Sequence, residues 1–202
     1  EKKPLYHFLP GSKVFSFGSA GCNFSCKFCQ NYAISCLPSK SGSVTGQRVE
    51  PAEVFRLAEQ QRASLVAFTY NEPTIFFELM FTVAGLLQST EKRSVIVTNG
   101  FMSEDCLLSL RRRISAANVD LKSFRETFYK EQCGGRLAPV LDTLKTIRRI
   151  GWWLEVTTLI IPGLNDSDDE IRDMARFIRD ELGPDTPWHL SAFHPAYLMG
   201  DR

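Results

Sequence analysis

The stretch GCNFSCKFCQN at positions 21–31 sets three thiols, Cys22, Cys26 and Cys29, within eight positions. Thiols bunched on one loop suit a metal centre better than a disulfide scaffold, whose cysteines are numerous and spread through the chain. The other three cysteines, Cys36, Cys106 and Cys133, are scattered and read as structural, although Cys36 is near enough to count as a candidate fourth ligand. A closed zinc site wants four ligands, usually as two knuckles, and this chain offers no second CxxC and three histidines in total. A [4Fe–4S] cube takes one cysteine per iron, so three cysteines leave one iron with an open position. An open position means chemistry. A zinc-binding structural module, with Cys36 or a histidine as fourth ligand, is the alternative from another class.

Further polar residues fall where apolar runs end. SLVAFTYNEP exits into Asn71 and Glu72, and RSVIVTNG into Thr98 and Asn99. In AANVDLKSF, Asn118, Asp120 and Lys122 alternate with Ala117, Val119 and Leu121, which sends the polar trio to one face of a strand. WLEVTTLIIPG carries Glu155 and Thr157 on a shared face, and PWHLSAF delivers Ser191 before His194. Singly, each has a plain structural reading. Asn71 and Glu72 suit the start of a helix, Asp120 and Lys122 an ion pair, Thr98-Asn99-Gly100 a turn, and His194 beside Pro195 a loop. Together, six polar exits predict a site on one rim. Trp152 and Trp153 read as core.

Positioning such a rim takes alternating strands and helices. Strands are expected over 13–21, 64–73, 93–100, 116–124, 153–163 and 187–193. Helices are expected from Pro51 at a first-turn position, through FFELMFTVAGLLQ, from Ser103 to Leu110, and from about Pro139 to Ile150 with Gly151 as terminator. The clearest helix opens with a Ser167/Glu170 capping box, carries the stripe Ile171, Met174, Ala175, Ile178 and Leu182, and stops at Gly183-Pro184. Mainly apolar strands alternating with helices predict an α/β fold with a parallel sheet, either a curved partial (β/α) barrel or a doubly wound sheet. Six units are too few for a complete eightfold barrel. The chain opens on Glu1, without Met, and lacks a helix after the sixth strand, which predicts a single domain over 1–202 truncated at its C-terminus.

Composition narrows the classes. Twenty-four basic against 23 acidic residues give no electrostatic footprint for nucleic acid, and Arg111 to Arg113 reads as a helix end. No apolar run approaches the ~18 residues that span a bilayer, and no signal-peptide pattern opens the chain. With thiols that oxygen would attack, this predicts a reducing, cytoplasmic setting and no membrane partner.

Cys22-x3-Cys26-x2-Cys29, with Phe28 before the last cysteine and a strand before the first, resembles the signature of radical S-adenosylmethionine (SAM) enzymes. The resemblance covers nearly the whole chain and implies a partial (β/α)6 TIM-like barrel of the radical SAM type. It also implies a [4Fe–4S] cluster held by Cys22, Cys26 and Cys29, and SAM bound to the open iron by its amino and carboxylate groups. One electron then splits SAM into methionine and a 5′-deoxyadenosyl radical that abstracts hydrogen from a substrate. The branch that includes pyruvate formate-lyase activating enzyme is nearest. YNEP (70–73) resembles its Gly-Gly-Glu-Pro, with Tyr70 and Asn71 replacing the glycines, and VTNG (97–100) its Asp-Thr-Asn-Gly, with Val97 where an aspartate helps bind a monovalent cation. VDLK (119–122) matches its Asp-Leu-Lys and AFHP (192–195) its histidine segment, while LIIPGLND (159–166) resembles the element that cradles adenine. The resemblance therefore implies Phe28, Asn71, Glu72, Thr98, Asn99, Asp120, Lys122 and His194 as SAM neighbours. YHFLPGS, YNEPTIF and SAFHPAY are similar to radical SAM proteins of the AmmeMemoRadiSam system. That implies an unidentified substrate or partner, a protein among the candidates, with activation of a glycyl radical enzyme as a second reading and a flavodoxin- or ferredoxin-like electron donor.

Overall fold

The computed structural model describes residues 5–36, 42–44 and 46–201. Its centre is a six-stranded sheet: β1 Val14–Phe17, β2 Leu65–Phe68, β3 Arg93–Thr98, β4 Ala116–Asp120, β5 Trp153–Ile160 and β6 Trp188–Ala192. The strands lie in sequence order and every neighbouring pair is parallel. Sequential order decides between the two expected architectures. A doubly wound sheet reverses direction part-way, whereas right-handed crossovers that all step the same way put every helix on one face. This is the open, barrel-like arrangement.

The helices, in chain order, are α1 Tyr32–Ser35, α2 Pro51–Gln60, α3 Phe77–Leu87, α4 Glu104–Leu110, α5 Glu126–Phe128, α6 Leu137–Ile150 and α7 Asp168–Phe177. Their local logic is legible. Pro51 opens α2, the Ser103 hydroxyl accepts from the Cys106 amide to cap α4, and α6 ends at Gly151 in the left-handed region (φ 83°). One strand face packs on these helices: Val66, Phe68, Ile96, Ala117, Val119, Leu154 and Val156 join Met80, Leu107, Leu144, Ile147 and Met174 in the main core. The other face turns inward. At the amino ends of the strands, Leu65, Ala67, Val95 and Ala116 pack on Leu5, with Phe8 and Val14 at the margin, so the N-terminal segment plugs the barrel floor.

Three expectations need correction, and one element is new. Ser167 does accept from the Glu170 amide at 3.3 Å, but the Glu170 carboxylate does not complete a capping box. It reaches Ser123 and the Phe124 amide instead, tying α7 to the end of β4. Ala175 is exposed, because helical spacing alone does not say where the apolar arc ends. Trp153 is 40% exposed while its neighbour Trp152 is buried. A helical segment absent from the sequence expectation runs from α5 through a wide π-type turn, Tyr129–Cys133, ending at left-handed Gly134.

Candidate active site

The cysteine loop leaves β1 and is held from two sides. Along one, the Asn71 carboxamide takes the Ser19 amide (3.2 Å) and gives to the Gly21 carbonyl (2.7 Å). Gly18 sits so close to β2 that a Cβ there would lie 2.4 Å from the Thr69 carbonyl, a contact only glycine avoids. Along the other, the Ser25 amide donates to the Cys133 carbonyl and the Lys27 amide to the Gln132 carbonyl, both at 2.9 Å. The π-type turn is thus the outer clamp of the loop. π-type turns within helices often mark functional sites, and this one carries that weight.

The strand ends are knotted by Glu72. Its buried carboxylate accepts from the Thr74 amide and hydroxyl, the Thr98 hydroxyl and the Asn99 amide at 2.8–3.1 Å. Asn99 passes the restraint onward: its amide nitrogen donates to Asn23 at 2.7 Å and lies 3.7 Å from the Cys22 sulfur. Burial pushes the Glu72 carboxyl above its ordinary value despite those donors.

Asp120 and Lys122 form an ion pair of 3.0 Å, and the Lys122 ammonium lies 5.9 Å from the centroid of the buried Phe28 ring. Burial works against that charge, but Asp120, with Cys26 and Cys133 beside it, holds the ammonium well above the usual lysine range. On the inner face of β4 and β5, the Thr157 hydroxyl donates to Asn118 at 2.9 Å. Burial pushes the Cys22 thiol to about 11, while contact with Cys133 and burial push Cys26 well above the usual thiol value. Burial, then the neighbouring Cys29, takes Cys36 to about 12. Free thiols so shifted are protonated at neutral pH, so metal loading must release protons. Cys133, read from the sequence as structural, contacts Cys26, and Cys36, read as structural or as a candidate fourth ligand, contacts Cys29.

These groups open into one cavity of about 770 Å³, within the range of small-molecule sites. Cys22, Cys26, Cys29, Phe28, Asn71, Thr98, Asn99, Asp120 and Lys122 all line it. Two candidates do not. Glu72 points away from the cavity into the knot of strand ends, and His194 is exposed beyond β6, outside the lining. Glu155 is not at the rim either: as the third residue of β5 it lies toward the floor. Sequence reading missed the floor residues Tyr6 and His189, which line the same cavity. The aim of Tyr6 follows from its amide's bond to Glu155, 149 positions away, which no local pattern records, whereas His189 shares a face of β6 with Ser191 and was legible by alternation.

The profile of the Radical SAM superfamily matches residues 17–178. The chain belongs to this superfamily. Superfamily membership implies a [4Fe–4S] cluster and SAM as cofactors, and the donor set fits: three sulfurs on one loop beside a cavity with a fixed cation. An uncharacterized protein of Methanocaldococcus jannaschii is 38% identical over 201 residues, which is 100% of this chain and 59% of that relative. The isethionate sulfite-lyase activating enzyme of Nitratidesulfovibrio vulgaris is 26% identical over 168 residues, 78% of this chain and 54% of that enzyme. This radical SAM chain thus spans little more than half the length of these relatives. The fold is similar to Streptococcus suis SuiB, solved with SAM (TM-score 0.70, 15% identity, 91% of this chain and 41% of that one) and also with its precursor peptide SuiA. Among the described residues, no helix is long and apolar enough to cross a membrane.

Proposed function

We propose that this chain is the core of a radical SAM enzyme in which Cys22, Cys26 and Cys29 hold three irons of a [4Fe–4S] cluster, leaving the fourth for the amino and carboxylate groups of SAM. When bound and reduced, these cofactors supply methionine and a 5′-deoxyadenosyl radical that takes hydrogen from the substrate. The observation that carries the reading is the convergence of the three cysteines and the Asp120–Lys122 pair on one cavity. Lys122 has three N–H donors, and beyond Asp120 it can offer the rest to the SAM carboxylate. Phe28 shields that side of the cavity from water. Asn71, Thr98 and Asn99 line the cavity and, through bonds to Ser19, Gly21, Glu72 and Asn23, would hold the cysteine loop and the strand ends in register around SAM. His194, exposed on the segment after β6, belongs to this site through the family resemblance alone.

For the substrate we propose a protein or peptide, with an electron donor of the flavodoxin or ferredoxin kind. The activating-enzyme relative supports a protein substrate. So does the resemblance of YHFLPGS, YNEPTIF and SAFHPAY to proteins of the AmmeMemoRadiSam system. Activation of a glycyl radical enzyme by removal of a glycine α-hydrogen is the second reading, favoured by the same relative.

The test is anaerobic reconstitution with iron and sulfide, then addition of SAM and a strong reductant, with 5′-deoxyadenosine measured by chromatography. The parent protein is expected to turn brown and release 5′-deoxyadenosine, and Cys26→Ala to release none while keeping its helical circular dichroism. Retained cleavage in Cys26→Ala, or zinc and no iron in the reconstituted parent, overturns the proposal. Deuterium carried from a candidate glycine-containing partner into 5′-deoxyadenosine separates the two substrate readings.

A further inference from the structure

Two of the chain's three histidines meet on one carboxylate at the barrel floor. Glu155 of β5 is completely buried; His189 projects from the adjacent β6, and His7 from the N-terminal plug. Among the described residues, this is the trio of His, Cys, Asp or Glu side chains whose ligand atoms all lie within 4.8 Å of one another. The two carboxylate oxygens are not equivalent. Oε1 accepts the amides of His7 (2.8 Å) and Phe8 (3.0 Å) and the indole N–H of Trp153 (3.1 Å), which saturates it. Oε2 accepts the Tyr6 amide (2.9 Å) and faces both imidazoles, with His189 Nε2 at 2.8 Å and His7 Nδ1 at 3.6 Å.

The 3.6 Å separation is too long for a hydrogen bond. It is the spacing of two atoms that share an ion: ligands at ~2.1 Å in tetrahedral geometry stand about 3.4 Å apart. A carboxylate with one oxygen locked by three N–H donors and the other turned to two imidazole nitrogens has the outer hydrogen bonds of a metal ligand already in place. We infer that His7, Glu155 and His189 form a second metal site, a two-histidine, one-carboxylate site for a divalent transition ion of the zinc class, with its remaining coordination position open to the cavity floor. Imidazole and carboxylate donors suit such an ion. Loading takes His189 as the neutral Nδ1–H tautomer, any proton on Nε2 passing to Nδ1 or to solvent, and opens the 2.8 Å contact by about 0.6 Å, a side-chain adjustment. Because His189 also lines the main cavity, an oxygen or nitrogen donor of a substrate there would have the open position within reach.

The experiment uses cluster-reconstituted protein, in which iron and sulfide occupy the thiols, stripped of loose metal and titrated with Zn²⁺ against a chromophoric chelator. One zinc per chain is expected beyond the iron. His7→Ala and His189→Ala are each expected to weaken it tenfold or more while the iron content holds. His7 is 56% exposed at its side chain, so its removal does not threaten the fold. The Cys22→Ser/Cys26→Ser/Cys29→Ser protein, which has no cluster, is expected to bind the same zinc, so this site stands or falls apart from the radical SAM reading. No zinc beyond the iron in the reconstituted parent, or unchanged zinc affinity in both histidine variants, overturns the inference.

Discussion

Glu72 and Lys122 are adjacent to one site yet act in opposite ways. Glu72 sits among donors that all belong to the protein, so its role is to fix where strands β2 and β3 end and, through Asn99, where Cys22 stands. Glu72→Gln removes a buried charge but turns an acceptor into a donor facing other donors. We expect it to cost about 1–3 kcal/mol, the penalty of an unsatisfied buried polar group. That lowers the melting temperature by about 2–12 °C in a chain of this size, which calorimetry reads directly. Because the side chain does not itself face the cavity, any change in SAM affinity per folded molecule comes through the displaced Thr98, Asn99 and Cys22. Lys122 does face it. Lys122→Ala is expected to weaken SAM binding roughly tenfold or more, the loss of one charge-assisted hydrogen bond, with iron content unchanged. Equilibrium dialysis with labelled SAM measures it, and undiminished affinity would take Lys122 out of the site.

The π-type turn and the two glycines after it decide whether the cysteine loop keeps its shape. A Cβ on Gly135 would lie 2.2 Å from the Phe24 ring, and one on Gly134 would lie 2.5 Å from the Ser25 hydroxyl. Phe24 is buried between Cys22 and Cys26 in sequence and packs on Phe101 and Tyr129 (centroids 5.1 and 6.1 Å), so it cannot retreat freely. Gly135→Ala should therefore cost about 1–3 kcal/mol through overpacking. It should also lower the iron bound after reconstitution, measured per folded protein, although residue 135 is no ligand. This element marks the limit of sequence reading. Period-two and helical patterns gave β1 to β6 and the longer helices, because burial on one face leaves a local trace. The cysteine spacing gave the loop, and alternation in β4 gave the inward Asp120. Tyr129–Cys133 carries no such trace: its work is done by backbone groups meeting Ser25 and Lys27, which any residue types could supply. For the same reason Glu72 looked like a ligand and Glu155 like a rim residue. A carboxylate's type records that it needs donors, not whether cofactor or backbone provides them.

Across the whole molecule, the barrel is closed by two segments that are not strands: the cysteine loop at the carboxyl ends and the N-terminal plug at the amino ends. The plug is held by apolar contacts of Leu5 and Phe8 and by Glu155, which gathers three consecutive backbone amides from the far end of the chain. Burial alone would raise the Glu155 carboxyl, but the Tyr6 and His7 amides, His189 and Trp153 outweigh it and leave the group below its ordinary 4.5. The sign of the linkage follows. A carboxyl whose folded value is depressed stabilises the fold fully above the unfolded value, and that contribution is lost as pH falls through the folded value. Metal-free parent protein melted at intervals from about pH 7 to about pH 3 should lose stability in the acid range, with part of the loss belonging to Glu155. Glu155→Gln, which leaves amides facing an amide, should be less stable than the parent near neutrality and should lose less on acidification, so the two curves converge. Parallel curves would mean that the floor is held by Leu5 and Phe8 alone and that the carboxylate contributes nothing to closing it.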